Sequence, residues 1–344
     1  MLFPFDPDKN FSKNNGIFGL PKDENNAALL IIPVPWDVTT SYREGTAYAP
    51  EAILEASYQI DLFDTQLPDE WKKGIFYAPF EDWIMDLNSF ERRKSKTIID
   101  HLENSDEPLP DRLKRAQDEV NEACVQMNSY VSAKVNKCLA FGKIPALLGG
   151  EHSISFSAIA EVAKKFPGLG VLQFDAHADL RQHYLDFQFS HASVMRNVLE
   201  NVPEMGKLVQ VGVRDLCNDE AHFAASSDKI ETFYNTIMTE RMFEGETWKT
   251  ITDEIVAALP QQVYITFDID AFKPSLCPHT GTPVPEGLTF EQAVYVVKKL
   301  VKSGRHIVGF DLVEVAPDHE NQWDETVGCR LLYQLCIHAL ASQK

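Results

Sequence analysis

Short apolar runs alternate with longer stretches of helical period along most of this chain. Residues 28–33, 144–148, 170–174, 208–214, 263–268 and 307–315 read as strands, and 229–234 as another. Their near-continuous hydrophobicity suits strands buried on both faces. Residues 59–63 alternate like an edge strand. Helices are expected from Pro50, over 113–141 with Gly142 closing it, over 154–165 with Ser153 as its cap, from 190–196 onward, and over 248–258, 289–302 and 325–341. Strands alternating with helices predict an α/β fold, a parallel sheet covered on both faces. Residues 66–115 fit this pattern least. Trp71, Phe76, Phe80 and Trp83 suggest packing there and 104–111 is turn-rich, so the segment reads as an elaboration on the core.

The strand ends carry the chemistry. The run before Asp175 stops at Asp175-Ala176-His177-Ala178-Asp179, and a second run stops at Asp268-Ile269-Asp270. Alternate side chains of an extended segment share a face, so 175, 177 and 179 converge if the strand geometry persists. A third run ends at Gly149-Gly150-Glu151-His152-Ser153, which delivers His152 to the same sheet edge. Ligands of open α/β sheets bind beyond the carboxyl ends of the strands. Strand-end carboxylates and core histidines account for any one of these residues, but not for all six.

His152, Asp175, His177, Asp179, Asp268 and Asp270 offer oxygen and imidazole nitrogen without a thiolate, a donor set that favours Mn2+ over structural zinc. Six ligands exceed one tetrahedral ion, so two metals roughly 3.5–4 Å apart are expected. Four aspartates without cations would repel one another or take up protons. Such a centre makes a hydroxide nucleophile near neutral pH. Glu314, near the end of the last strand, suits a planar cation such as guanidinium, and His191 on its loop suits a proton shuttle.

The formal charge of −19 argues against nucleic acid or an anionic membrane as partner and is compatible with a cationic substrate. The six cysteines show no pairing-like spacing and read as reduced thiols. The first residues lack a basic segment followed by an apolar one, and no apolar run reaches membrane-spanning length, which together read as cytoplasmic.

Gly149–Ser153, Asp175–Asp179, Ser190-His191-Ala192, Phe267–Asp270 with Thr280-Gly281-Thr282-Pro283, and Gly309–Pro317 together resemble the ureohydrolase family, the arginase and agmatinase group. The resemblance runs from about residue 28 to the C-terminus. It implies a three-layer α/β/α sandwich around a mostly parallel sheet of about eight strands, one domain over 1–344 with the elaboration at about 66–115. It implies hydrolysis of a guanidino group to urea and an amine by a hydroxide bridging two Mn2+ ions. One metal would be held by His152, Asp175, Asp179 and Asp268, the other by Asp175, His177, Asp268 and Asp270, with Asp175 and Asp268 bridging. Asp179 would also hydrogen-bond the hydroxide and relay its proton. His191 would shuttle protons and Glu314 anchor the guanidinium, with Thr282 and Arg181 at the substrate. A homo-oligomer, trimer or hexamer, is implied.

Two positions depart from the family pattern: Glu151, where Asp is usual, and His279, where a smaller residue is usual. Substrate choice falls to the loops. Arg181 replaces an arginase-type Asn, and residues 35–43 and 179–196 look like agmatinases, so agmatine is the expected substrate. The alternatives are arginine, guanidinobutyrate, guanidine and formiminoglutamate. A non-catalytic metal-binding relative should have lost a ligand, His191 or Glu314, and all are present.

Overall fold

The computed structural model describes residues 15–79 and 81–343. The N-terminal residues behind the cytoplasmic reading, and Phe80, lie outside the described residues. No helix among the described residues is long and apolar enough to cross a membrane.

Among the described residues, eight parallel strands form one sheet: β1 Leu29–Val34, β2 Ile75–Tyr77, β3 Ile144–Gly149, β4 Leu169–Phe174, β5 Met205–Val211, β6 Ile230–Phe233, β7 Gln262–Asp268 and β8 His306–Val313. Their order is β2-β1-β3-β8-β7-β4-β5-β6. Helices α1 Ala49–Ala56, α2 Asp82–Asn104, α3 Asp111–Ala140, α4 Ser155–Lys165, α5 Val194–Asn201, α6 Asn218–Ala225, α7 Asn235–Phe243, α8 Trp248–Ala258, α9 Phe290–Lys302 and α10 Trp323–Ala341 surround it. Strand side chains alternate between two cores. Leu172, Ile265 and Phe310 join the layer of α1 and α8–α10, whereas Val171, Tyr264 and Val308 join that of α3–α5. This is the expected three-layer α/β/α architecture.

The differences from the sequence reading are local. Residues 59–63 form no strand; the sheet edge is taken by β2, inside the 66–115 segment, pairing parallel with β1. Ser153 does not cap α4, because its hydroxyl donates to Glu151 Oε1 at 2.6 Å. The long helix α2 hides its buried face behind polar residues, Asn88, Glu91 and Ser95. Asn88 and Ser95 are committed to the loop after β1, while Glu91 accepts from Lys94 Nζ at 2.8 Å. Asn88 Oδ1 accepts from Asp37 N at 2.7 Å, its amide donates to Asp37 Oδ1 at 3.0 Å, and the Ser95 hydroxyl donates to Val38 O. The elaboration thus braces a loop that borders the site.

One stability prediction arises from α10. Burial lowers the imidazole of His338 to about 4, with Gln334 O opposing and Lys298 and Lys302 adding to the effect. The folded state keeps it neutral while the unfolded chain protonates it near 6.5, so the unfolded state binds more protons between those values. Stability should therefore fall as pH drops from about 6.5 to 4, by up to roughly 3 kcal/mol from this group. Urea unfolding of the metal-free protein should show a shallower acid dependence in His338→Gln; an unchanged slope refutes it.

Candidate metal centre and its cleft

The four central strands β3, β8, β7 and β4 bring the site residues to one edge of the sheet. His152 begins a 3-10 turn after β3, Asp175 follows β4, Asp268 closes β7 with Asp270 in the next turn, and Glu314 follows β8. His177 and Asp179 continue the β4 loop, and His191 starts the turn that leads into α5. At Gly150 an added Cβ would stand 1.7 Å from Trp36 O, so only glycine lets the β3 and β1 loops close on each other.

Extended alternation is not what makes 175, 177 and 179 converge. The strand stops at Phe174, and Asp179 takes a left-handed backbone with φ 54°. Glu314 does the same with φ 62°. For non-glycine residues these conformations are strained, and such strain concentrates at functional sites.

His152 Nδ1 lies 2.9 Å from Asp179 Oδ2, 3.1 Å from Asp175 Oδ2 and 3.5 Å from Asp268 Oδ2. His177 Nδ1 lies 2.9 Å from Asp270 Oδ2 and 3.6 Å from Asp175 Oδ1. Asp175 is therefore common to two groups, one with His152 and Asp179, the other with His177 and Asp270. Asp268 reaches the first through Oδ2, while its Oδ1 accepts from Asp270 N at 2.8 Å.

The hydrogen bonds behind His152 fix which nitrogen faces these carboxylates. The Thr266 hydroxyl donates to Asp311 Oδ1 at 2.7 Å, so across the 2.8 Å to His152 Nε2 it can only accept. One ring proton sits on Nε2, and Nδ1 faces three carboxylates, where its lone pair needs a cation or a second proton between them. Among the described residues, buried Nδ1 has no hydrogen-bond partner. A lone pair among anionic oxygens in a dry site is unfavourable unless positive charge lies between them.

The titration of the cluster carries the same demand. Burial opposes a charge on His152, but Asp175, Asp179 and Asp268 outweigh it and raise the imidazole well above its ordinary value. His177 is raised likewise against burial, by Asp270 and Asp175. Burial, reinforced by Asp175, pushes Asp179 up to about 7. Burial, Asp270 and Asp175 lift Asp268 well above the carboxylate range. Protons thus collect where a cation would sit, and the residues fit a hard divalent ion.

The centre opens into a cleft of about 450 Å3, lined also by Glu314, His191, Arg181, Thr282, Tyr184 and Asp215. Glu314 Oε1 accepts from His152 N at 2.8 Å, its own N–H donates to Gly150 O at 2.9 Å, and Thr280 donates to its carbonyl at 2.8 Å. Burial, then Glu151, raises the Glu314 carboxyl well above its ordinary value. Burial, with His177 and His152 nearby, lowers His191 to about 3, which keeps it a neutral base. Arg181 lies over the Tyr184 ring at 4.9 Å, with Nε 3.7 Å from Glu220 Oε2. His279 turns away from this cleft: its N and Nδ1 lie 3.0 and 2.8 Å from the carboxylate of Asp324 at the start of α10.

The model of the arginase family matches residues 27–338, a span that includes the whole sheet and every residue of the centre. The chain belongs to the arginase family. It is a hydrolase acting on the C–N bonds of amidines. It is 29% identical over 324 residues to an N(1)-aminopropylagmatine ureohydrolase from Synechocystis, covering 93% of this chain and 91% of that one. It is 28% identical over 298 residues to an agmatinase from Bacillus anthracis, covering 86% of each. The solved agmatine ureohydrolase of Thermoplasma volcanium superposes with a TM-score of 0.69 at 21% identity, covering 99% of this chain and 96% of that one.

Within this arginase-family fold, several supporting residues escaped the sequence reading. Gln173 Nε2 donates to Asp175 Oδ2 at 2.8 Å, and Gln210 Nε2 in turn donates to Gln173 Oε1 at 2.7 Å. Thr266 and Asp311 orient His152 as described. All four are fully buried. Their signal was available: each is a polar residue inside a largely apolar strand, where burial demands a partner.

Proposed function

We propose that this arginase-family hydrolase cleaves the guanidino group of agmatine to give urea and putrescine, with two Mn2+ ions bound at the cluster. His152, Asp175, Asp179 and Asp268 would hold one ion and Asp175, His177, Asp268 and Asp270 the other. The orphaned Nδ1 of His152, aimed at three buried carboxylates, is the observation that carries the metal assignment. When bound, the ions would supply a hydroxide nucleophile near neutral pH. Glu314, fixed through Oε1 by a backbone amide, turns its charge to the cleft and would orient the guanidinium. Asp179 would accept a proton at its carboxylate, and neutral His191 would take up a proton at its free ring nitrogen and hand it to the departing amine. The assembly would be a homo-oligomer, a trimer or hexamer, in the cytoplasm; light scattering tests its size.

Agmatine carries an amine at its tail and arginine adds a carboxylate, whose burial without a donor is costly. Arg181 and Arg43 are the arginines lining the cleft, but Glu220 and the Tyr184 ring already engage Arg181, and Arg43 Nη1 donates to Pro278 O at 2.9 Å. Preference for agmatine over arginine in kcat/KM is therefore expected at about tenfold or more, roughly 1.4 kcal/mol. N(1)-aminopropylagmatine, the compound in the name of the Synechocystis relative, keeps the guanidinium and lengthens the amine tail, and is a second substrate for the same assay. Urea release by the Mn2+-loaded protein from all three compounds, in wild type and Arg181→Ala, tests this. Arginine turnover equal to that of agmatine, and lost with Arg181, overturns the agmatine assignment.

A further inference from the structure

Glu151 is fully buried one residue before His152, and its carboxylate is taken up by Thr39 and Ser153. It accepts from Thr39 N at 2.8 Å, from the Thr39 hydroxyl at 2.9 Å and from the Ser153 hydroxyl at 2.6 Å. The same Thr39 hydroxyl oxygen accepts from His191 N at 3.1 Å and lies 3.4 Å from His191 Nδ1. Ser190 Oγ stands at 3.4 Å from that nitrogen as well, while accepting from Ala192 N at 3.3 Å. Tyr184 closes on the imidazole edge-to-face, with ring centres 5.7 Å apart. Three loops, after β1, β3 and β4, are thus joined at one hydroxyl.

Counting protons sets the direction of this chain. Burial raises Glu151 to about 7 while its bonds from Ser153 and Thr39 favour the ionised form; ionised it only accepts, and threonine has one hydroxyl proton. With that proton given to Glu151, Thr39 offers His191 lone pairs alone, so with Thr39 as its partner Nδ1 carries the ring proton and Nε2 is left without one; Ser190 Oγ, at the same distance, is the competing partner that Ser190→Ala removes. The 3.4 Å separation is long, as such contacts commonly are before substrate closes the site.

We infer that Glu151 and Thr39 are positioning residues: through the Thr39 hydroxyl, Glu151 holds His191 in the Nδ1-protonated tautomer, with Nε2 free to exchange a proton with substrate. The arrangement is a carboxylate–imidazole pair with a hydroxyl inserted between them. It rests on the hydrolytic reading above for its consequence in turnover, but not for its tautomer. Glu151→Gln gives a specific reversal. Thr39 N–H keeps the amide oxygen of the new side chain, so its NH2 must face the Thr39 hydroxyl. The hydroxyl proton is then free to turn to His191 Nδ1, and the ring proton moves to Nε2.

The test uses the full chain, 15N-labelled at histidine and loaded with Zn2+ so that no paramagnet broadens the ring resonances. His191 is assigned by its absence in His191→Ala. Long-range 1H–15N spectra should show the Nδ1-protonated form in wild type, the Nε2-protonated form in Glu151→Gln, a mixture in Thr39→Val and the wild-type form again in Thr39→Ser. In the Mn2+ enzyme, Glu151→Gln and Thr39→Val should lower kcat about ten- to a hundredfold, with KM within about threefold and metal content unchanged. Thr39→Ser should recover most of the turnover lost in Thr39→Val. An Nε2-protonated His191 in wild type, an unmoved tautomer in both variants, or a switch produced by Ser190→Ala in their place overturns the inference. So does the expected tautomer switch with kcat unchanged. If wild type hydrolyses no guanidino compound while the tautomers behave as stated, the proposed function fails and the positioning geometry stands.

Discussion

Asp268→Asn is expected to abolish guanidino hydrolysis and the Mn2+ response together, yet to leave the metal-free protein more stable than metal-free wild type. The asparagine oxygen can still accept from Asp270 N, which now bonds Oδ1 at 2.8 Å, so local structure survives. What disappears is one buried negative charge, whose carboxyl burial, Asp270 and Asp175 already force well above the ordinary range. Removing it relieves repulsion worth about 1–3 kcal/mol in the metal-free protein. The cost falls on metal binding. Oδ2, now 3.5 Å from His152 Nδ1, ceases to be an anionic donor. Hydrolysis should fall at least about a thousandfold, near 4 kcal/mol of barrier. Elemental analysis under saturating Mn2+ should give two ions per wild-type chain and fewer in the variant, and melting curves with and without Mn2+ should differ for wild type alone. A variant that keeps two ions and the Mn2+ shift would remove Asp268 from the centre.

How far the centre was legible depended on where its residues stand relative to the strands. Asp175 and Asp268 were visible because apolar runs stop at them, and the structure ends β4 and β7 at just these places. The reason assumed for their neighbours was wrong. Alternation along an extended segment does not carry Asp179 into the cluster; a left-handed residue does, and nothing in an Asp-rich loop marks which residue adopts it. Glu314 shows the same limit: its place after β8 was readable, its turn back toward His152 was not. The helix α2 was missed for a different reason. Its buried stripe contains Asn88, Glu91 and Ser95, so hydrophobic periodicity, the main helix signal, is broken where the helix is tied to the β1 loop. A similar tie explains Ser153, whose sequence position suits a cap but whose hydroxyl belongs to Glu151. The edge strand shows competition between local patterns. Residues 59–63 alternate well, but the shorter run Ile75–Tyr77 is the one set beside β1.

Glu314→Gln should separate catalysis from stability most sharply. Glutamine preserves size and the acceptor for His152 N, so the backbone amide that holds the side chain at 2.8 Å keeps its partner. Charge is lost, and the NH2 group presents hydrogen-bond donors where the wild-type carboxylate offers a free acceptor. A guanidinium is itself all donors and would meet repulsion in place of a charge-assisted pair. Breaking such a buried pair costs about 3–5 kcal/mol, so kcat/KM for agmatine should drop by about a thousandfold. Metal content should not change, since Glu314 contacts the His152 backbone and not its ring. Stability of the substrate-free protein should move the other way. Burial and Glu151 hold the wild-type carboxyl well above its ordinary value, and Asp270 adds to that repulsion. Removing the charge should therefore raise Tm by a few degrees, the usual relation where a site is built for its ligand and not for its own rest state. Kinetics, elemental analysis and thermal unfolding of one variant decide it. A lower Tm with less than about tenfold loss of kcat/KM would make Glu314 a brace for the β3 loop and leave the guanidinium without its anchor.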